Sequence, residues 1–153
     1  MKHPLRIALF ALLTVLPSIR STAQAVQDLT TKTTDSKCAA ILEVLRAGVM
    51  KAVGQDVKFV VSWMKVSQGF AFFRGNTRSA TGGQLPWERI PAYRDMVADG
   101  LFDGDGTSAL LKLTGGKWML VTYVIGPTDV AWACWWKEYR APRAIFDLAE
   151  DCQ

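Results

Sequence analysis

The amino-acid sequence predicts a single α+β domain: an N-terminal helix packed on a twisted four-stranded antiparallel sheet, with short C-terminal helices. Three patterns support this fold class. Apolar residues recur every three or four positions between residues 36 and 53, then alternate along residues 57–74 and again along residues 108–125. A helix, two hairpins and short C-terminal helices in this order build one antiparallel sheet with the helices on one side.

The first predicted element is an amphipathic helix. Asp35 or Ser36 is a suitable N-cap, and Gly54 is a residue type that commonly follows the end of a helix. The apolar positions form one stripe, and most of the charged residues lie off it. The predicted stripe comprises Cys38, Ile41, Leu42, Leu45, Val49, Ala52 and Val53.

Two hairpins follow the helix. The second is the clearer one, because a glycine turn joins residues 108–113 to residues 117–125, which are dense in β-branched and aromatic residues. The first pairs residues 57–66 with residues 70–74. Its first strand alternates so that four apolar side chains are predicted to share one face: Val57, Phe59, Val61 and Trp63.

The remaining segments are less regular. Residues 75–106 form a long connection, in which residues 92–98 are the helical candidate, and long connections in compact domains often carry function. After the fourth strand, aromatic residues recur at helical spacing along residues 130–139. Pro142 then begins a last short helix that ends at Leu148.

This order of elements resembles the layout of cystatin-like and NTF2-like α+β domains, in which a sheet curls around a helix. The resemblance concerns the arrangement of elements and includes no diagnostic motif. Domains of this layout serve as enzymes, inhibitors and ligand carriers. The resemblance therefore implies a fold and leaves the function open.

The first 25 residues are typical of a cleavable secretory signal. Lys2 and Arg6 form a positive start, residues 7–16 form a short apolar run, and Ala23-Gln24-Ala25 is a small-x-small cleavage site. The apolar run is shorter than the roughly 20 residues that span a bilayer, so no membrane span is expected after cleavage. We predict a periplasmic or secreted protein with a flexible leader at residues 26–34 and a single domain at residues 35–153.

Cleavage would remove residues that several kinds of catalysis and binding require. The only histidine, His3, belongs to the signal, which excludes Ser-His-Asp and Cys-His catalysis and disfavours zinc. Lys2, Arg6 and Arg20 leave with it, so the net charge falls from +4 to +1. Because nucleic-acid binding needs a clustered basic face, nucleic acid is not an expected partner.

The three cysteines are Cys38, Cys134 and Cys152, and an exported chain can keep a disulfide. Cys134 lies among tryptophans, where a buried free thiol would pack well. We therefore expect Cys38 to pair with Cys152, although the other pairings stay open until the geometry is known.

Two sequence motifs do not match the sites they suggest. Ser62 and Lys65 have the spacing of a serine-x-x-lysine enzyme, but strand periodicity points them to opposite faces. The aspartates and glycines of residues 99–106 fail the EF-hand spacing and are typical of turns. No metal or cofactor is predicted.

The aromatic residues are the main functional signal. Trp87, Arg89 and Tyr93 lie in the long connection, and Trp136 lies in a helix too rich in aromatic residues to bury them all on one face. Aromatic residues and arginine are common anchors of protein interfaces, so these four residues are the predicted partner contacts. In the alternative interpretation, Trp87 only packs the connection against the core.

The sequence thus favours a non-catalytic binding module of the inhibitor, immunity or envelope-adaptor kind, with a protein partner ahead of a small apolar or sugar ligand. The alternative is a small-ligand carrier or a carboxylate-based enzyme with a pocket between helix and sheet. Such an enzyme would use Glu88, Asp95 or Asp99 from the long connection.

Overall fold

Five antiparallel strands form one sheet, in chain order, in a computed structural model that describes residues 25–148 and residue 152. The α+β class is confirmed, but the sheet has five strands where four were predicted, and the helix follows the first strand. The predicted signal peptide lies outside the described residues, except for Ala25. The strands are β1 Gln27–Asp28, β2 Val57–Ser67, β3 Phe70–Ser79, β4 Gly106–Thr114 and β5 Lys117–Ile125.

The additional strand comes from the segment that was predicted as a flexible leader. Strand β1 pairs with the end of β2, and Leu29 is fully buried immediately after it. The Leu29 amide donates to the Met64 carbonyl at 2.8 Å, and the Thr30 hydroxyl accepts from the Met64 amide at 3.0 Å. One buried leucine and a few backbone bonds order this segment, although its sequence shows no apolar period.

The predicted first helix is confirmed as α1, Ser36–Val53. The Asp35 carboxylate caps it by accepting from the amides of Lys37 at 2.8 Å and Cys38 at 3.4 Å. At the other end Gly54 adopts a left-handed φ of 73°, which glycine tolerates without strain. The buried face of α1 consists of Cys38, Ile41, Leu45, Val49 and Val53.

Both predicted hairpins form, but β3 is longer than expected. It continues from Arg74 to Ser79, because residues 74–76 pair with the start of β4 on one side and with β2 on the other. The irregular connection is therefore shortened to residues 80–105. Within it, the helix predicted for residues 92–98 forms as α2, Arg94–Ala98.

A β-bulge in β2 overturns the predicted alternation. Val61 pairs with Gly75, whereas Trp63 pairs with Arg74, so Ser62 is an extra residue in the strand. The bulge moves Trp63 to the opposite face from Val61. Gly75 is required at this point, because a Cβ atom there would lie 2.1 Å from the Val60 carbonyl oxygen.

The sheet carries a hydrophobic core on each face. The first face packs against α1 and the long connection, through residues such as Met64, Phe73 and Leu111. The second face packs against residues 127–148, which we call the C-terminal segment, through residues such as Phe72 and Leu110. The expectation that all helices lie on one side of the sheet is therefore wrong.

The C-terminal segment is less helical than its aromatic spacing predicted. Of residues 130–139 only α3, Trp135–Glu138, is helical, and Arg143–Ile145 form a single 3₁₀ turn. Arg140 has a left-handed φ of 54°, and Pro142 follows it, so a longer helix cannot continue. The turns let the segment place aromatic and aliphatic side chains on the second face: Trp132, Trp135, Ile145 and Phe146.

The predicted disulfide is wrong. Cys134 bonds to Cys152, with their Cα atoms 5.0 Å apart, and Cys38 is a buried free thiol in α1. Cys38 belongs to the first-face core, whereas the C-terminal segment covers the second face, so the sheet separates Cys38 from Cys152. Burial, and secondarily the nearby Asp35, raise the pKa of the Cys38 thiol above its ordinary value of 9.0, which disfavours the reactive thiolate.

Candidate binding site

Two of the four predicted contact residues lie in the core. The rings of Trp87 and Tyr93 stand 5.2 Å apart, and Phe102 lies 5.1 Å from the first and 5.6 Å from the second. Trp87 is 8% exposed and Tyr93 is 9% exposed. This aromatic cluster holds the long connection against the first-face core, as the alternative interpretation of Trp87 expected.

The other two residues are accessible but lie apart from this cluster. Arg89 is exposed and pairs with the adjacent Glu88 at 3.6 Å. Trp136 is half-buried on the second face, with the Lys137 ammonium 5.3 Å from its ring centre. The four residues therefore do not form one surface, because Trp87 and Tyr93 pack on one face of the sheet and Trp136 on the other.

The geometry does not favour a carboxylate-based enzyme. Glu88 and Asp95 are exposed, and each pairs with a neighbouring arginine rather than with another carboxylate. Asp99 is also exposed. The layer between α1 and the sheet is filled by fully buried side chains such as Ile41 and Phe73. Within residues 25–148 and residue 152, no group of three potential ligands could hold a metal ion.

Because Tyr93 is buried, we expect the protein to lose stability at alkaline pH. Burial, followed by smaller contributions from Tyr123, raises the pKa of Tyr93 from 10.0 to about 12. Since the unfolded chain loses this proton at lower pH, the unfolding free energy should fall between pH 10 and pH 12, by at most about 2–3 kcal/mol. Urea unfolding across this range would measure the slope. Tyr93→Phe should flatten it, and an unchanged slope in that variant would contradict the assignment.

A polar cleft of about 220 Å³ opens on the second face, beside the C-terminal segment. Arg74 and Ser108 are paired across β3 and β4, as are Asn76 and Gly106. These two pairs lie on the same face of the sheet, with the Gly75–Thr107 pair between them, and both contribute to the cleft. Its other lining residues are Ser62, Gly75, Asp103, Thr107, Pro127 and Trp132.

Arg74 links the cleft to the C-terminal segment. Its guanidinium forms an ion pair with Asp147 and lies 4.5 Å from the centre of the Trp132 ring. The Trp132 indole nitrogen is buried and has no hydrogen-bond acceptor among the described residues. An unmet buried donor of this kind costs about 1–3 kcal/mol. Because the nitrogen is buried, it is not a group that the cleft presents to a ligand.

A second polar group supports the cleft from the side of the long connection. The Asn76 amide donates to the Asp105 carboxylate at 2.6 Å, and Arg78 forms an ion pair with the same carboxylate. Beneath them, the buried hydroxyls of Thr77 and Thr107 are 2.6 Å apart. The Asn76 side-chain nitrogen thus faces Asp105, and the side-chain oxygen is the acceptor of the same amide.

Strand β5 provides a second candidate surface at the edge of the sheet. It pairs with β4 and has no strand on its other side among the described residues. Met119 is 56% exposed and Val121 is 36% exposed. Val121 is also the extra residue of a bulge, since Leu110 pairs with Thr122 and Leu111 with Leu120.

Our sequence interpretation identified neither surface. The cleft residues come from three strands, the long connection and the C-terminal segment, so no local motif contains them. One usable signal existed along β3: Phe70 and Phe72 are followed on the same face by the polar residues Arg74 and Asn76.

No known protein family, curated protein or solved structure matches this chain. Among the described residues no helix has the length and apolar character to cross a membrane.

Proposed function

We propose that this protein is an exported, non-catalytic interaction module that binds an extended segment of a partner protein along β5. The inhibitor, immunity and envelope-adaptor types suggested by the sequence all act by binding another protein. The observation that carries the proposal is the open edge of β5, with two exposed aliphatic side chains. The protein would work in the periplasm or the extracellular space, where the Cys134–Cys152 disulfide can persist.

The two edges of the sheet differ in a way that favours β5. At the other edge, β1 pairs with Lys65 and Val66, and the rest of β2 carries Lys58 and the bulge at Ser62. Lysines, bulges and short covering strands are devices that prevent unwanted strand pairing. In β5 the single charged residue is Lys117, at the start of the strand. Strand β5 also has a bulge, at Val121, but no covering strand among the described residues, so its edge is the less protected of the two.

The backbone groups of an open strand edge determine which kind of partner can bind there. A strand edge presents a row of backbone donors and acceptors, and an extended peptide satisfies them by adding a strand. Met119 and Val121 would then contact cross-strand side chains of the added segment, which supplies apolar contact beside the backbone bonds. A protein partner in an extended conformation fits these groups better than a compact ligand does.

The test uses linear peptides selected from a random displayed library against the wild-type protein. Selected peptides should bind Met119→Lys/Val121→Lys at least tenfold more weakly than wild type by calorimetry, a difference of about 1.4 kcal/mol. Hydrogen exchange should show new protection of the β5 amides when peptide is bound. Val130→Lys is the matched control, because Val130 is 54% exposed and lies outside the strands.

Two results would refute the β5 site. The first is a selection that yields no peptide, and the second is binding that the double variant and Val130→Lys weaken equally. If the peptides bind β5 as expected, capture from the exported fraction with the same three proteins identifies the natural partner. The partner is the species retained by wild type and Val130→Lys and lost by the double variant.

A further inference from the structure

We propose that the cleft on the second face binds a neutral, hydroxyl-bearing ligand of about the size of one sugar ring. This site is separate from the β5 edge and does not depend on the function proposed above. The volume sets the size, because 220 Å³ lies below the roughly 300–1,000 Å³ that is typical of sites for drug-sized ligands.

The charges of the cleft favour a neutral ligand. Arg74 and Asp103 are the charged residues that line it, and they have opposite signs. Arg74 is already paired with Asp147, and the neighbouring Asp105 is paired with Arg78. An anion would have to displace Asp147 from Arg74, and a cation would be repelled by Arg74. Neither sign of charge therefore gains a net electrostatic advantage.

The hydrogen-bonding groups favour hydroxyls in particular. Ser62 and Ser108 carry groups that can both donate and accept, and the Asn76 oxygen accepts. A hydroxyl-bearing ring can match such a mixed set, because each hydroxyl also donates and accepts. Sites for small ligands combine apolar walls with a few placed polar groups, and Trp132 and Pro127 supply that wall here.

Gly106 leaves the space in which the ligand would sit. A Cβ atom at this position would meet no atom within 4 Å, and its backbone does not require glycine. Because Gly106 starts β4, a β-branched residue suits the position. Gly106→Val should therefore fill the cleft while preserving the fold.

The test is an NMR titration of the ¹⁵N-labelled protein with D-glucose and N-acetyl-D-glucosamine. Sodium acetate and cyclohexanol serve as the charged and the singly hydroxylated comparisons. We expect saturable shifts of the Gly75, Gly106 and Thr107 amides and of the Trp132 indole N–H with at least one sugar, and affinity at least tenfold lower for acetate and cyclohexanol. Gly106→Val should abolish the shifts.

Gly83→Val is the control, because it makes the same exchange outside the cleft, where a Cβ atom meets only the Ser79 hydroxyl at 3.6 Å. It should bind the sugar as wild type does, as should Met119→Lys/Val121→Lys, which separates this site from the β5 edge. The proposal fails if neither sugar shifts these resonances, if acetate or cyclohexanol binds as well, or if Gly106→Val retains binding.

Discussion

Replacing Phe72 with alanine should lower the unfolding free energy by about 3–5 kcal/mol. Phe72 is fully buried at the centre of the second-face core, with its ring 4.5 Å from Phe146 and 6.4 Å from Trp135. The substitution removes the aromatic ring on which the C-terminal segment rests. Since small domains are stable by only about 5–15 kcal/mol, this loss is a large part of the total. Urea unfolding would measure it.

The adjacent Phe73 provides a matched comparison. It is also fully buried, but it packs on the first face, 5.4 Å from Phe59. Both alanine variants should be destabilised to a similar extent, whereas the near-ultraviolet circular dichroism of the tryptophans around Phe72 should change more in Phe72→Ala. A loss below about 1 kcal/mol in Phe72→Ala would show that the second core does not hold the C-terminal segment.

Removing the disulfide with Cys134→Ser/Cys152→Ser should cost about 3 kcal/mol, the chain-entropy estimate for a loop of this length. The bond closes a loop with a sequence separation of 18, and the Lys137 ammonium donates to the Cys152 carbonyl at 3.1 Å within it. Its loss frees the end of the C-terminal segment in the unfolded chain and weakens the segment's attachment to the sheet. Chemical unfolding under non-reducing conditions would measure the difference.

Cys38→Ala is the appropriate control. It removes one buried sulfur atom, leaves the disulfide intact, and should cost about 1 kcal/mol. Mass spectrometry of the unreduced wild-type protein should find Cys38 as the free thiol. A Cys38–Cys152 bond, or a larger loss for Cys38→Ala than for the double variant, would contradict the structure.

Local patterns predicted the elements well where neighbouring residues determine them. The helix at residues 36–53 was located from its apolar period, a cap at Asp35 or Ser36, and Gly54. The structure confirms the period and Gly54, and it selects Asp35 as the cap. The β4–β5 hairpin was likewise located from its glycine turn and its alternating residues. These features depend on contacts within a few positions of the chain, so one sequence is sufficient to find them.

Features that depend on distant residues were missed or wrong. The bulge that turns Trp63 to the second face depends on the close approach of Gly75 and Val60 across two strands. The order in residues 27–30 depends on bonds to Met64, which is 34 positions from Thr30. Neither the period of β2 nor the composition of the leader contains this information.

The candidate surfaces show the same difference between local and long-range features. The sequence identified aromatic residues and arginine as contacts, but composition cannot show that Trp87 and Tyr93 pack against Phe102 and leave little surface for a partner. The cleft exists because strand register places Arg74 beside Ser108 on the face that Trp132 covers. Register is a property of the assembled sheet.

The sequence by itself determined the α+β class, the first helix, both hairpins and the presence of an export-type leader pattern, because these follow from residue type and short-range spacing. Only the tertiary structure decided which cysteines pair, which face each aromatic residue covers and where polar groups meet. Those outcomes depend on distances between residues far apart in the chain, and such distances are set when the two faces of the sheet bury their separate cores.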